Sequence, residues 1–536
     1  MTQKLKIHLA QINPIVGDLE GNTQKILHEF QKANEAGCDL AVFSEMVICG
    51  YPCEDLWQKK YFIREVEKKI IEICSKTRSA RCAILLGSPT IEMERSKEVF
   101  RNCALFIENG EVKKIIPKKT LPNYGVFDEA RYFKPAQQLQ SIEFRGQTLA
   151  ILVCEDLWDP KNLYLLGEQI FDAVIALNAS PYATKKHLSR EKTFSHFAQT
   201  LNKPLVYVNQ VGGQDSLVFD GCSFVMNSSG KIILQMKEFA EDSANFELQK
   251  NGETSLLAPN TYKISSPIQR NYKACVLALR DYVEKNGFEK VLLGMSGGID
   301  SALVAAIAVD ALGAKNVALY ALPSRFNSST SMDDAKECAR RLDVKLEVIS
   351  IEMTFEAMLH SIPNLTDLAK ENLQSRIRGN MLMALSNSSW ALLLSTGNKS
   401  ELACGYATIY GDMCGAFNPI KDLYKTQIYE LAQFKSDVIP QNIITKEPSA
   451  ELRFDQKDSD SLPPYEILDK ILFALIEEQK AVAEIAKDFD ETTVKKVAKL
   501  FYQSEYKRKQ AVMGPRISDM SFDKERRYPV TNKFTN

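Results

Sequence analysis

The chain has 536 residues, 45% of them hydrophobic and 25% charged, with a formal net charge of −1. That length asks for more than one ordinary domain, about two to four, and the near-neutral balance argues against a general polyanion-binding surface and so against nucleic acid as a partner. Its twelve cysteines form no C-x-x-C pair, so neither a zinc ribbon nor a disulfide framework is indicated; no run reaches the ~18 apolar residues of a membrane span, the start has no signal-peptide core, and free thiols suit a reducing cytoplasm.

In chain order, the first half alternates short strands with helices. Strands are predicted over 4–11 and 40–43 and amphipathic helices over 22–36 and 61–77, where apolar residues recur at helical spacing. Further strands are predicted over 82–87, 102–108, 111–116, 148–153, 173–177, 204–208, 223–226 and 232–236. Periodicity alone gives an α/β unit with mixed sheets. The stretch from Asn251 to Pro267 is polar, contains prolines and lacks periodicity, so it reads as a linker. Domains are expected over 1–258 and 268–536, with 259–267 between them.

The second half shows βα alternation: helix 268–286, strand 290–293, helix 302–312, strand 316–322, helix 333–342, strand 345–349, helix 371–385 and strand 390–394. This implies a doubly wound parallel sheet with ligands at the strands' C-terminal ends. The turn Gly294-Met295-Ser296-Gly297-Gly298-Ile299-Asp300-Ser301 falls at one such end, between a strand and an Ala-rich helix. Glycines there let the backbone approach an anion, and the helix N-terminus offers unpaired N–H groups. Ser296 and Ser301 add hydroxyls, and Asp300 could hold a Mg²⁺ on phosphates. The Walker pattern GxxxxGK[ST] is absent here.

In the first half, three apolar runs end in reactive groups: Glu45 after 39–44, Lys118 after 115–117 and Cys154 after 150–153. A thiolate attacks amide carbonyls, a carboxylate can take its proton, and an ammonium can stabilise the oxyanion.

The order Glu45, Lys118, Cys154 resembles the Glu-Lys-Cys triad of the nitrilase superfamily, with Lys118 three residues before Leu121 as in its K-x-x-L segment. The 296–301 turn resembles the SGGxDS loop of the N-type ATP pyrophosphatases, which split ATP between its α and β phosphates. Both halves together resemble the glutamine-dependent NAD synthetase family. Its strings include Leu121 to Glu129, Asn178 to Tyr182, Glu371 to Asn380, Ser395 to Glu401, Ser461 to Asp469 and Glu505 to Gln510.

The resemblance implies a nitrilase-like αββα sandwich followed by a doubly wound parallel sheet. It implies amidation of deamido-NAD with ATP, Mg²⁺ and L-glutamine as last step of NAD biosynthesis, in a cytoplasmic homo-oligomer between dimer and octamer. It assigns glutamine contacts to Tyr124, Ser180 and Lys186, with Lys185 an alternative to Lys186, and the adenylate to the 294–301 turn and Thr396. Asn372, Glu401 and Lys507 are assigned to deamido-NAD, and Glu401 could instead complete a Mg²⁺ site with Asp300.

Two positions depart from the family pattern. Phe454 and Asp455 stand where Pro-Asn is common, at the start of a polar 455–461 loop expected to be a mobile lid near ATP, and Thr120 stands where nitrilase relatives often have His. Another pyrophosphatase-class amidotransferase such as a GMP synthetase is the nearest rival, but those usually use a Cys-His-Glu glutaminase and only five histidines occur here. A tRNA-modifying pyrophosphatase would want a basic appendage, and an inactive regulatory protein would not need every reactive residue retained.

Overall fold

The computed structural model describes residues 4–250, 253–257 and 262–534. They divide into two compact units, one running to Ser265 without Asp215–Leu217, the other formed by those three residues and Ser266 onward.

The first unit is an αββα sandwich. A seven-stranded sheet has the order Thr254–Leu256, Asp242–Gln249, Lys4–Gln11, Leu40–Val42, Ala83–Glu94, Lys97–Glu108, Glu111–Pro117. A six-stranded sheet has the order Ile232–Gln235, Phe224–Met226, Leu205–Asn209, Ala173–Asn178, Gln147–Val153, Gln140–Phe144. Strand alternation sends Ile7, Leu85 and Phe106 of the first sheet against Ile151, Ile175 and Val208 of the second, in one continuous core. Their immediate neighbours along the strands of the second sheet, Leu152, Ala176 and Tyr207, point the other way. They pack on Leu166, Phe194 and Phe197 of helices Pro160–Gly167 and Lys186–Leu201. Helices Leu19–Glu35 and Lys60–Thr77 cover the first sheet.

Several boundaries differ from the sequence reading for identifiable reasons. The helix expected from 22 begins at Leu19, because Asp18 caps it by accepting from the Gly21 N–H at 2.9 Å. The expected short strands over 82–87 and 102–108 are arms of one long hairpin, Ala83–Glu94 with Lys97–Glu108. Its turn residues Arg95 and Ser96 have φ of 47° and 65°, without the Gly or Asn that usually announces such a turn. Inside the expected linker, Thr254–Leu256 instead pairs with Asp242–Gln249 and extends the first sheet. Pro259 lies outside the described residues.

The second unit holds a four-stranded parallel sheet in the order Leu346–Val348, Val317–Ala321, Val291–Gly294, Leu392–Leu393. Helices Ile299–Leu312 and Asp367–Ser389 pack on it, the latter through Leu382 and Leu385 against Leu292 and Leu393. Trp390, expected to open a strand, ends the helix instead, with φ of 52°. Helices Tyr465–Ile476 and Glu491–Gln503 build a separate apolar cluster around Leu468, Leu472, Val494 and Phe501. Among the described residues, no helix is long and apolar enough to cross a membrane.

Candidate active sites

In the first unit, strand Gln147–Val153 is buried between a parallel neighbour, Ala173–Asn178, and an antiparallel one, Gln140–Phe144, and ends at Cys154. Cys154 has φ of +46°, a left-handed backbone that reverses the chain into the short turn Cys154–Leu157. Glu45 follows strand Leu40–Val42, and Lys118 follows Glu111–Pro117. All three side chains are buried.

The Lys118 ammonium donates to Glu45 Oε1 at 2.8 Å and to Glu129 Oε1 at 2.9 Å. Asn102 Nδ2 also donates to Glu45 Oε1, at 2.7 Å, and the Ala179 N–H donates to Glu45 Oε2 at 3.0 Å. The Tyr51 hydroxyl donates to Glu129 at 2.9 Å. Burial, and next the Glu45 carboxylate, push the Cys154 thiol well above its usual range, while Lys118 acts against them. A thiol held protonated in this way needs a base beside it to become a nucleophile. Burial lowers the Lys118 ammonium, but the charges of Glu129 and Glu45 more than offset it and keep it protonated. Glu129 itself is pushed up to about 7 by burial, against the opposing charge of Lys118.

Glu129 received no role from the sequence, although it closes the Leu121 to Glu129 string. Its signal was that string's position, not any spacing to Lys118. Close packing here makes Gly87 indispensable: a Cβ on it would stand 2.4 Å from Met46 N and 2.5 Å from Glu45 Cα. Gly87→Ala is expected to cost about 1–3 kcal/mol of overpacking and to displace Glu45. Thermal melting and glutamate release both check this, and unchanged values in both would refute it.

The expected glutamine contacts fall in two places. Tyr124 is largely exposed, and its hydroxyl donates to Glu155 Oε1 at 2.8 Å. Lys186 lies 5.9 Å from the Phe127 ring centre and 5.8 Å from that of Trp158, while Lys185 is exposed at the N-cap position. Tyr124 also packs on Phe127, at 5.7 Å between ring centres, so Tyr124 and Lys186 flank one aromatic surface. Ser180 is buried deeper: its Oγ accepts from Arg190 at 3.3 Å, and Arg190 pairs with Asp220 at 2.8 Å.

In the second unit, strand Val291–Gly294 leads into the 295–298 turn and helix Ile299–Leu312. Ser296 Oγ lies 3.1 Å from Ser301 Oγ and accepts from the Gly298 N–H at 3.2 Å, which cinches the turn. Gly297 has φ of +82°, and a Cβ there would meet Ser331 O at 2.1 Å. Gly297→Ala should cost about 1–2 kcal/mol in backbone strain alone. It should also lower pyrophosphate exchange into ATP roughly 100-fold by misplacing the turn; exchange at the wild-type rate would count against that.

One cavity of about 840 Å³ is lined by Gly294, Met295, Ser296, Gly298, Ile299, Asp300, Ser301, Thr396, Asn372, Glu401 and Lys507. Of the residues expected in this site, Gly297 alone is not among its lining, being turned against Ser331. Asn372 Oδ1 accepts from the Thr408 hydroxyl at 2.8 Å, and the Lys507 ammonium donates to the carbonyls of Gly405 and Ala407 at 2.7 Å each.

Asp300 accepts from Asn398 Nδ2 at 2.9 Å and pairs with Lys425, whose ammonium also lies 3.7 Å from Glu401. Glu401 additionally caps its helix, accepting from the Asn398 N–H at 3.2 Å. Burial, then the Asp300 charge, raise Glu401 to about 8. Both carboxyl groups thus meet the Lys425 ammonium in the wall of the cavity, and together they offer oxygen donors of the kind Mg²⁺ shares with phosphate oxygens. Sequence reasoning missed Lys425, since nothing near Asp422-Leu-Tyr-Lys425 signals a fold that carries it to Asp300. The loop expected over 455–461 contains a short turn, Asp458–Asp460; Asp458 is buried, accepts from the Tyr465 hydroxyl at 2.8 Å and lines the cavity.

A buried carboxylate–lysine–cysteine centre on an αββα sandwich, joined to a nucleotide-type cavity on a parallel sheet, defines a two-domain amidotransferase class. Family models agree: the carbon-nitrogen hydrolase model matches residues 6–255 and the NAD synthase model residues 271–511. The chain belongs to the glutamine-dependent NAD(+) synthetase family. It is 40% identical to the glutamine-dependent NAD(+) synthetase of Acinetobacter baylyi and 40% identical to that of Thermotoga maritima, with 99% of each chain covered in both cases. It is also similar to the solved structure of the glutamine-dependent NAD+ synthetase of Acinetobacter baumannii in complex with adenosine diphosphate. That likeness has 39% identity and a TM-score of 0.79, covering 99% of this chain and 100% of that one.

Proposed function

We propose that this chain converts deamido-NAD to NAD, taking ammonia from glutamine and energy from ATP. The observation that carries the reading is the buried contact of Lys118 with Glu45, at 2.8 Å, in the unit whose strand end bears Cys154. Cys154 Sγ attacks the side-chain amide carbon of glutamine as Glu45 takes the thiol proton. Lys118 has three N–H donors; Glu45 and Glu129 hold two of them, and the third serves the oxyanion. The proton on Glu45 passes to the departing nitrogen, ammonia leaves, and a glutamyl thioester remains. Water, deprotonated by Glu45, attacks the thioester and releases glutamate, and the thiol re-forms. Tyr124, Ser180 and Lys186 bind the glutamine, the lysine pairing with its carboxylate.

In the second unit, the nicotinate carboxylate of deamido-NAD attacks the α-phosphorus of ATP, and pyrophosphate leaves. The resulting acyl-adenylate has the leaving group that a bare carboxylate lacks. Ammonia attacks its carbonyl, AMP departs, and the carboxamide of NAD is formed. The 294–301 turn and Thr396 hold the nucleotide, while Asn372 and Lys507 position deamido-NAD. Asp300 and Glu401 would hold Mg²⁺, which when bound neutralises phosphate charge. Glutamine hydrolysis is expected to speed up when deamido-NAD and ATP are present, in a homo-oligomer between dimer and octamer. Light scattering beside a glutamate-release assay checks this, and a monomer with an unchanged rate would overturn it. The free thiols among the described residues support a cytoplasmic setting. The function is tested by incubating the protein with glutamine, Mg-ATP and each candidate acceptor in turn: AMP should appear only with deamido-NAD, and AMP release on a different acceptor would defeat the reading.

A further inference from the structure

Asp156 stands two residues beyond Cys154 and is 2% exposed. Its carboxylate joins two separate segments of main chain. Oδ1 accepts from the N–H of Lys119 at 3.0 Å and of Thr120 at 2.7 Å. Oδ2 accepts from the N–H of Val153 at 3.1 Å. One carboxylate therefore grips the peptide that follows Lys118 and the residue that precedes Cys154. A second tie runs in parallel: Asn162 Nδ2 donates to Asp156 O at 2.9 Å and to Thr120 Oγ1 at 3.0 Å, and Asn162 is fully buried. Thr120, the departure from the nitrilase pattern, thus takes part in the clamp.

The clamp matters because the two segments are otherwise tied to different sheets. Lys118 continues a strand of the seven-stranded sheet, its N–H donating to Asn102 O at 2.8 Å. Cys154 ends a strand of the six-stranded sheet in a left-handed backbone that its own side chain does not favour. The apolar core between the sheets is non-directional and does not fix how the two strand ends stand in registry. A buried carboxylate receiving three N–H groups does fix it, because leaving any of those donors unpaired is costly.

We infer that Asp156 is a positioning residue of the amide-hydrolysing centre, setting the place of the Lys118 ammonium relative to the Cys154 thiol by bonding the main chain of both segments. The inference rests on the reading of Cys154 and Lys118 as nucleophile and oxyanion stabiliser. It separates alignment from binding, since Asp156 is not among the residues expected to touch glutamine.

The test uses the full-length protein and two readouts. Asp156→Asn turns one acceptor into an NH₂ group that opposes backbone N–H donors. Its kcat for glutamate release should fall about 100-fold, as expected for a misalignment of about 1 Å, with KM for glutamine within about threefold. NAD formation from ammonium salt should stay at the wild-type level. The second readout is the pH dependence of Cys154 alkylation by iodoacetamide. Removal of a negative charge alone would lower the thiol's midpoint and speed alkylation; displacement of Lys118 raises the midpoint and slows it. Slower alkylation supports the clamp, whereas alkylation as fast as wild type or faster, with glutamate release within threefold, overturns it. Should Asp156→Asn not fold, Asp156→Glu keeps both acceptors but shifts them by one methylene: a kcat at least tenfold lower supports the clamp, and one within twofold overturns it. If the wild type released no glutamate, the glutamine reading would fail, and the alkylation profiles would still decide the role of Asp156.

Discussion

Replacing Cys154 by alanine is expected to abolish glutamine-supported NAD formation, by about 10⁴-fold or more for loss of a covalent nucleophile. NAD formation from added ammonium salt should remain within about twofold of wild type, as independent sites allow. The two outcomes follow from where the groups sit. The thiol belongs to the first unit, with Glu45 and Lys118. The 296–301 turn and the cavity belong wholly to the second. The smaller alanine side chain removes the thiol at a buried strand end without adding bulk, so the fold should survive. A folded variant that had lost both activities would show that the centres do not act separately.

Asp300→Asn should produce the converse. Asp300 pairs with Lys425 and accepts from Asn398, and its charge lies close enough to Glu401 to raise that carboxyl. The neutral amide keeps the size but loses the charge that would hold a metal on the phosphates. AMP and pyrophosphate production should fall about 10²–10³-fold, the scale for losing a preorganised electrostatic group. The loss should be deepest at limiting Mg²⁺, while glutamate release without the synthetase substrates continues. Normal AMP production at limiting Mg²⁺ would remove Asp300 from the metal's place.

Much of this was legible in the sequence, and the exceptions share a cause. Reactive residues at strand ends could be found because a strand announces itself by its apolar run, and chemistry then follows directly in the chain, as at Cys154 and at the 296–301 turn. The doubly wound second sheet was readable from βα alternation for the same reason. Residues that reach a site from elsewhere in the fold left no such mark. Glu129 meets Lys118 only because the chain returns after Tyr124, and Lys425 meets Asp300 across 125 positions of sequence. Asp156 read as one of two acidic residues after a cysteine, since bonds to main-chain N–H groups of another segment carry no side-chain signature. The strand Thr254–Leu256 was hidden by its shortness and polar surroundings, and its pairing partner, Asp242–Gln249, was not anticipated either. The hairpin of Ala83–Glu94 with Lys97–Glu108 was cut short because Pro89 and the Arg95-Ser96 turn argue locally against the pairing that the sheet imposes.

The most direct measurement follows the nitrogen. The purified protein is incubated with deamido-NAD, Mg-ATP and glutamine labelled with ¹⁵N at the side-chain amide, in the presence of unlabelled ammonium. Glutamate, AMP, pyrophosphate and NAD are then quantified together. The account predicts that at least part of the NAD carries the label in its carboxamide, with one AMP and one pyrophosphate formed for each NAD. Release of ADP in place of AMP, or a carboxamide bearing only unlabelled nitrogen while glutamate accumulates, would contradict it.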